Sequence, residues 1–172
     1  MQSITKIIAA MLAISATCVF ACSASAAASS GKLQGVADAF VKCDAVNANV
    51  MSSELIMTIG ATPKGRAAWI NKYASEVSGT PSYKKDGDYT TVSVKPLDEI
   101  RFAGVKVDTV SALTCNGGDC GTVIYLLEFG SASAADKAML KAAVAKAPRS
   151  GHRPKLIEQK GQPVSVMCDV GD

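Results

Sequence analysis

Two cysteines, Cys115 and Cys120, enclose four turn-forming residues between two strand-like apolar runs. The runs cover residues 105–113 and 123–129 and are rich in β-branched side chains, which favour strands. The enclosed Asn116-Gly117-Gly118-Asp119 tolerates the positive φ angles that tight turns require. The segment therefore predicts a β-hairpin whose tip is closed by a Cys115–Cys120 disulfide. Residue types alone leave open whether this tip is a rigid binding surface or an ordinary stapled turn.

The N-terminus has the pattern of a secretory signal peptide. Lys6 precedes an apolar stretch over residues 7–21, and Ala24-Ser25-Ala26 matches a small-x-small cleavage site. We therefore expect residues 1–26 to be removed on export to the periplasm, followed by a disordered linker over 27–32 and one domain over 33–172. A lipoprotein is the alternative, because Cys22 ends a tolerable lipobox. No stretch is long and apolar enough to predict a membrane span.

The charge of the chain argues against a nucleic-acid partner. The net charge of +3 falls to +2 once Lys6 leaves with the signal peptide, and no basic cluster is interleaved with aromatic residues. We therefore expect no nucleic-acid partner.

Four cysteines remain after the signal peptide: Cys43, Cys115, Cys120 and Cys168. An even number of cysteines in an exported domain predicts disulfides, here with three possible pairings. Helical spacing from Val36 places Cys43 on a buried stripe, and strand alternation places Cys168 on the inward face of the last strand. We therefore expect Cys43–Cys168 beside Cys115–Cys120, with the long-range bridge contributing most of the stability.

The order of helix and strand signals predicts an α+β fold. A helix is expected from about Leu33, and a second helix from Thr62-Pro63 to about Val77 with Trp69 as a core or shoulder residue. An exposed connector is expected over 78–88. Strands follow from Thr90, with a phase slip near Thr109 that predicts a β-bulge.

The remainder of the chain predicts a central strand, a helix and two further strands. The run over 123–127 is apolar throughout, so we expect it to be covered on both faces. Ser131 or Ser133 is expected to cap an alanine-rich helix, and strands are expected over 155–158 and 164–170. The predicted fold is a mostly antiparallel sheet of about five strands with two or three helices packed on it.

The sequence offers little for catalysis or metal binding. His152 is the only histidine, in a basic loop without a nucleophile motif, and the cysteines are better used in bridges. Asp119 and Glu128 have no spacing that marks them as a glycosidase pair, and Gly117-Gly118 is not followed by the residues of a phosphate loop. We therefore expect a binding protein, not an enzyme, with no cofactor and no metal.

Residues 67–129 combine Ala68-Trp69-Ile70 in an early helix, Gly79-Thr80-Pro81, a glycine-led strand from Gly104, and Cys-x-x-x-Asp-Cys-Gly before an apolar strand. This layout resembles that of the inhibitor of vertebrate lysozyme (Ivy) family of exported bacterial proteins. The resemblance implies an α+β domain whose cysteine loop, residues 115–120, enters the cleft of a lysozyme. In that family the loop reads Cys-Lys-Pro-His-Asp-Cys, and its histidine meets the catalytic carboxylates.

The match to the family loop holds at Cys115, Asp119, Cys120 and Gly121 and fails at three positions. Asn116, Gly117 and Gly118 stand where the family has lysine, proline and histidine. Three readings follow. The chain is a divergent inhibitor of a lysozyme or another peptidoglycan-cleaving enzyme; or a relative that binds another envelope partner, such as a toxin that it neutralises; or an enzyme or thiol-exchange protein. The sequence leaves open whether the protein is a monomer or a homodimer.

Overall fold

The computed structural model describes residues 32–115, 121–148 and 151–171, and it has an α+β architecture. Within these residues there are five helices and eight strands. The helices are α1 (Leu33–Ala39), α2 (Cys43–Ala48), α3 (Val50–Met57), α4 (Pro63–Lys72) and α5 (Ala134–Lys146). The strands are β1 (Val77–Asp86), β2 (Tyr89–Pro96), β3 (Ile100–Phe102), β4 (Val105–Val107), β5 (Thr109–Cys115), β6 (Val123–Phe129), β7 (Lys155–Ile157) and β8 (Val164–Asp169).

Six strands form one antiparallel sheet in the order β1-β2-β5-β6-β8-β7, and β3 and β4 pair separately. The prediction of a mostly antiparallel α+β fold is confirmed, with six strands in the main sheet where about five were expected. Strands β5 and β6 lie at the centre of the sheet. Both continue to the two ends of the cysteine loop.

One face of the sheet carries the hydrophobic core. Ala112 pairs with Val92 on one side and with Tyr125 on the other, and Tyr125 pairs with Cys168, so that these four side chains form a row on that face. All four are almost completely buried, together with residues of α1, α2 and α3. The opposite face is less completely covered, and Leu126, for example, is only partly buried.

The helical region expected from about Leu33 consists of three short helices. The buried stripe of Val36, Phe40 and Cys43 is confirmed, since all three residues are 0–1% exposed. The stripe does not lie on one helix, because the backbone is extended at Lys42, and it is extended again at Asn49. The Asn49 side chain accepts hydrogen bonds from the N–H groups of Met51 and Ser52, and thereby starts α3.

Helix α4 begins as predicted and ends earlier. The Thr62 hydroxyl accepts a hydrogen bond from the Gly65 N–H, and Pro63 occupies the first helical position. The helix ends at Lys72 instead of about Val77, since Val77 already belongs to β1.

The connector expected over 78–88 is largely strand β1, so the prediction of a connector is wrong. The predicted exposure of this segment is confirmed. Gly79 and Pro81 disfavour an interior strand, but β1 lies at the edge of the sheet and pairs on one side only. The register shifts between Ser78 and Ser82, and Gly79 has a φ of +75° at this irregularity. An edge position with a bulge therefore accommodates residues that a central strand would reject.

The phase slip near Thr109 is a change of sheet and not a bulge. Asp108 separates β4, which pairs with β3, from β5, which pairs with β2 and β6. Because the two strands belong to different sheets, their buried positions need not share a phase.

The central position of β6 is confirmed, but its coverage on both faces is not. Leu127 is 0% exposed, whereas the neighbouring Leu126 on the other face is only partly buried. Ser133 is the residue that caps α5, and the last two strands lie at the predicted positions. No helix among the described residues is long and apolar enough to cross a membrane. The predictions for residues 1–31, including the signal peptide and Cys22, lie outside the described part of the chain.

Candidate functional site

The cysteine loop is carried by the two central strands of the sheet. Thr114 pairs with Val123 in the last registered pair before the loop, and Tyr89 of β2 pairs with Cys115 on the other side. Cys115 is partly buried and disulfide-bonded. Its predicted partner Cys120, and with it Asn116, Gly117, Gly118 and Asp119, lies outside the described residues. The described stem thus agrees with a hairpin that is stapled at its tip.

The C-terminal end of the chain packs against the stem. The Val170 N–H donates to the Val123 carbonyl at 2.9 Å. A Cβ added at Gly171 would lie 2.6 Å from the Thr122 Cα and 2.8 Å from the Gly121 carbonyl oxygen, closer than real contacts allow. Gly171 therefore lets the two backbone segments touch. Sequence reasoning missed this contact, because nothing near a chain terminus predicts what it will pack against.

Strand β8 is in turn fixed to helix α2 by the predicted Cys43–Cys168 disulfide, which the structure confirms. Both cysteines are 0% exposed. Cys168 pairs in register with Tyr125 of β6, whose hydroxyl donates to the Asn47 side chain at 3.4 Å. Burial raises the pKa of Tyr125 to about 12, so this phenol stays neutral under ordinary conditions. Disulfide and phenol together anchor β6 and β8 below the loop.

A chain of polar side chains crosses the partly exposed face of the sheet. The Ser93 and Ser111 hydroxyl oxygens are 2.8 Å apart, and the Ser111 hydroxyl donates a hydrogen bond to the Glu128 carboxylate at 3.0 Å. Ser111 is fully buried between its neighbours. With no described histidine or lysine bonded to either serine, this chain is a cross-strand hydrogen-bond ladder and offers no activated nucleophile.

The remaining residues considered for chemistry are not brought together. His152 is exposed in the segment before β7, and none of the hydrogen bonds or ion pairs found in the described residues involves its side chain. Glu128 lies in the serine ladder, and Asp119, its candidate acidic partner, falls outside the described residues. Within the described ranges, no three His, Cys, Asp or Glu residues are grouped so that they could hold a metal ion.

Comparisons with protein-family models, with curated proteins and with solved structures found no match to this chain. The fold and the stem geometry are therefore the basis for a functional proposal.

Proposed function

We propose that this protein is an exported periplasmic binding protein that binds a lysozyme, or another peptidoglycan-cleaving enzyme, through the cysteine loop. The observation that carries the proposal is the position of the stem. The loop connects the two central strands at one end of the sheet. The C-terminal backbone contacts β6, and β6 pairs with β8, which the disulfide joins to α2. Strands held in this way need no further ordering when a partner binds at their end. The Ivy-like motif in the sequence supplies the class of partner.

The chemistry of this loop differs from that of a loop with a histidine. Gly118 offers a backbone N–H where a histidine would offer a ring that can donate hydrogen bonds to carboxylates. Asp119 adds a negative charge, and the net charge of +2 after removal of Lys6 gives no long-range attraction to a basic lysozyme. Binding to a lysozyme cleft would therefore rest on shape and on backbone N–H donors.

A second candidate follows from the same two glycines. Replacement of proline and histidine by Gly117 and Gly118 favours a relative that has lost lysozyme inhibition. Such a protein binds another envelope partner or neutralises a toxin.

Inhibition of bacterial-wall lysis by a c-type lysozyme separates the two candidates. The mature protein would be assayed beside Gly118→His, with Gly60→His as the matched control, because Gly60 has open space around it and lies outside the loop. Inhibition by the unaltered protein supports the first candidate. Inhibition by Gly118→His alone supports the second candidate on a retained scaffold. Absence of inhibition by both contradicts lysozyme binding through the loop. If the unaltered protein is inactive, a gain of inhibition in Gly60→His equal to that in Gly118→His contradicts it as well, because the added histidine then acts outside the loop.

A further inference from the structure

A groove runs between helices α3 and α4, in a part of the molecule that the proposed function does not use. It has a volume of about 340 Å³ and is lined mainly by apolar residues: Met57, Ala61, Gly65, Ala68 and Trp69. Met57 is 74% exposed at its rim, the largest exposed fraction among the large apolar side chains of the described residues.

Small residues shape the floor of this groove. A Cβ added at Gly65 would lie 3.3 Å from the Ala61 Cβ, so the chain before α4 and the helix itself already touch there. Ala68, which also lines the groove, is exposed. The groove therefore offers a shallow apolar channel that side chains of a partner could fill.

Trp69 adds a hydrogen-bond donor that has no partner. The residue is only 6% exposed, and its ring packs against the Tyr73 ring with centroids 4.9 Å apart. The indole Nε1 is buried and has no hydrogen-bond acceptor among the described residues. Because this nitrogen is not accessible from the surface, a partner docked in the groove contacts the Trp69 ring and not its N–H.

The charge beside the groove is positive. The Glu54 carboxylate, its one acidic lining residue, already accepts hydrogen bonds from the Lys72 ammonium at 2.6 Å and from the Tyr73 hydroxyl at 2.8 Å. The hydrogen bond from Lys72 is the main cause that lowers the pKa of Glu54, so this carboxylate stays ionised and paired. Helix α4 has no acidic residue, and on either side of Gly65 it carries two positive charges. Lys64 is exposed, and the Arg66 guanidinium donates to the carbonyls of Thr58 and Ile59 beside the groove.

We propose that the α3–α4 groove is a docking site for an acidic amphipathic segment of another protein. Apolar side chains of the segment fill the channel between Met57 and Trp69, and its carboxylates lie near Lys64 and Arg66. This inference is independent of the loop and of whether a lysozyme is bound there.

The test uses Trp69 as a built-in reporter, because it is the only tryptophan of the chain. The mature protein would be titrated with a synthetic amphipathic peptide that has leucines on one face and glutamates on the other. A peptide with lysine in place of every glutamate is the charge control. We expect the acidic peptide to shift the Trp69 emission and the NMR resonance of its indole N–H, and the basic peptide to bind at least about tenfold more weakly.

Two alanines of α4 provide matched variants. Ala68→Glu places a carboxylate in the groove, and Ala67→Glu places the same group at an exposed position of the same helix that does not line it. We expect Ala68→Glu to weaken binding of the acidic peptide at least about tenfold and Ala67→Glu to weaken it much less. If Ala68→Glu fails to fold by circular dichroism, the exposed rim variant Met57→Ser is expected to show the same loss. Equal binding of both peptides, equal losses in the two glutamate variants, no loss in the folded rim variant, or no change at Trp69 would overturn the proposal.

Discussion

At the residue scale, a close approach between two backbone segments of the candidate site is possible because Gly171 has no side chain. Gly171 contacts the backbone of residues 121–123, which lead out of the cysteine loop. Position 171 requires glycine because there is no space for a Cβ. Its backbone conformation imposes no such requirement, since its φ angle is not in the left-handed region. The sequence does not predict this contact, because nothing in the residues around Gly171 indicates which segment they pack against.

We predict that Gly171→Ala destabilises the protein by about 1–3 kcal/mol, because the added methyl group must push two backbone segments apart. Urea unfolding would measure the loss, and hydrogen exchange at the Val123 and Val170 amides would locate it. The matched control is Gly60→Ala, since a Cβ at Gly60 meets nothing within 4 Å. Equal unfolding free energies for the two variants would show that the contact is not as close as described.

A second prediction at this scale concerns Tyr125. Its pKa is about 12 in the folded chain against 10.0 for the ordinary phenol. Between these pH values the unfolded chain has released the proton and the folded chain has kept it, so the free energy of unfolding falls as pH rises. The loss is roughly 2–3 kcal/mol across that window.

Urea unfolding of the unaltered protein and of Tyr125→Phe, measured at rising pH, would test this prediction. The difference between the two should change in the alkaline window and remain constant below it. Tyr89→Phe is the control, because Tyr89 is 42% exposed. If the difference in unfolding free energy between the unaltered protein and Tyr125→Phe does not change across the alkaline window, the burial of the phenol is contradicted.

At the element scale, short polar contacts decide where helices begin. The Ser133 hydroxyl accepts from the Asp136 N–H at 3.2 Å, and the Asp136 carboxylate accepts from the Ser133 N–H at 2.9 Å. The Asp136 carboxylate also accepts from the Ser133 hydroxyl at 2.7 Å, and this hydrogen bond, together with that from the Ser133 N–H, lowers the pKa of Asp136. The capping box therefore assigns the start of α5, which the sequence had left between Ser131 and Ser133.

We predict that Ser133→Ala lowers the free energy of unfolding by about 1 kcal/mol, since it removes the cap. Ser131→Ala should change it by less than about 0.5 kcal/mol. Thermal or urea unfolding of both variants measures the difference. The contribution of the Asp136 carboxylate should be present at neutral pH and be lost as pH falls through its lowered pKa. A larger loss of unfolding free energy in Ser131→Ala than in Ser133→Ala would show that Ser133 is not the cap.

At the scale of the whole molecule, one covalent bond joins the beginning of the described chain to its end. The Cys43–Cys168 disulfide links residues 125 positions apart and ties α2 to β8. The cysteine loop, by contrast, contains only six residues. In the chain-entropy model the first bridge restricts the unfolded chain far more than a bridge closing the second.

We predict that replacing Cys43 and Cys168 by serine costs about 4–5 kcal/mol of stability, against about 2 kcal/mol or less for Cys115 and Cys120. Urea unfolding of both double variants tests the ranking, with each fitted to its own m value because disulfide removal changes the exposed surface. If the loop binds the partner, replacing Cys115 and Cys120 should weaken binding more than replacing Cys43 and Cys168. Similar stability losses in both would contradict the division between a structural and a functional bridge.

Local and periodic features of the sequence were sufficient for much of this fold. Thr62-Pro63 predicted the start of α4, and alternation in the last strand placed Cys168 inward, because caps and side-chain periods act over a few residues. The burial of Cys43 and Cys168 then predicted their disulfide. For the candidate site, the turn chemistry between Cys115 and Cys120 predicted a loop between two strands, and those strands are present.

The tertiary structure alone decided which segments meet. The edge of the sheet accommodated Gly79 and Pro81 in β1, and a change of sheet at Asp108 produced the phase slip attributed to a bulge. The close approach of Gly171 to the loop stem and the groove beside Trp69 likewise join residues that are distant in the chain or on separate helices. Side-chain type and spacing determine local conformation, whereas these long-range contacts depend on how all the helices and strands pack around one hydrophobic core.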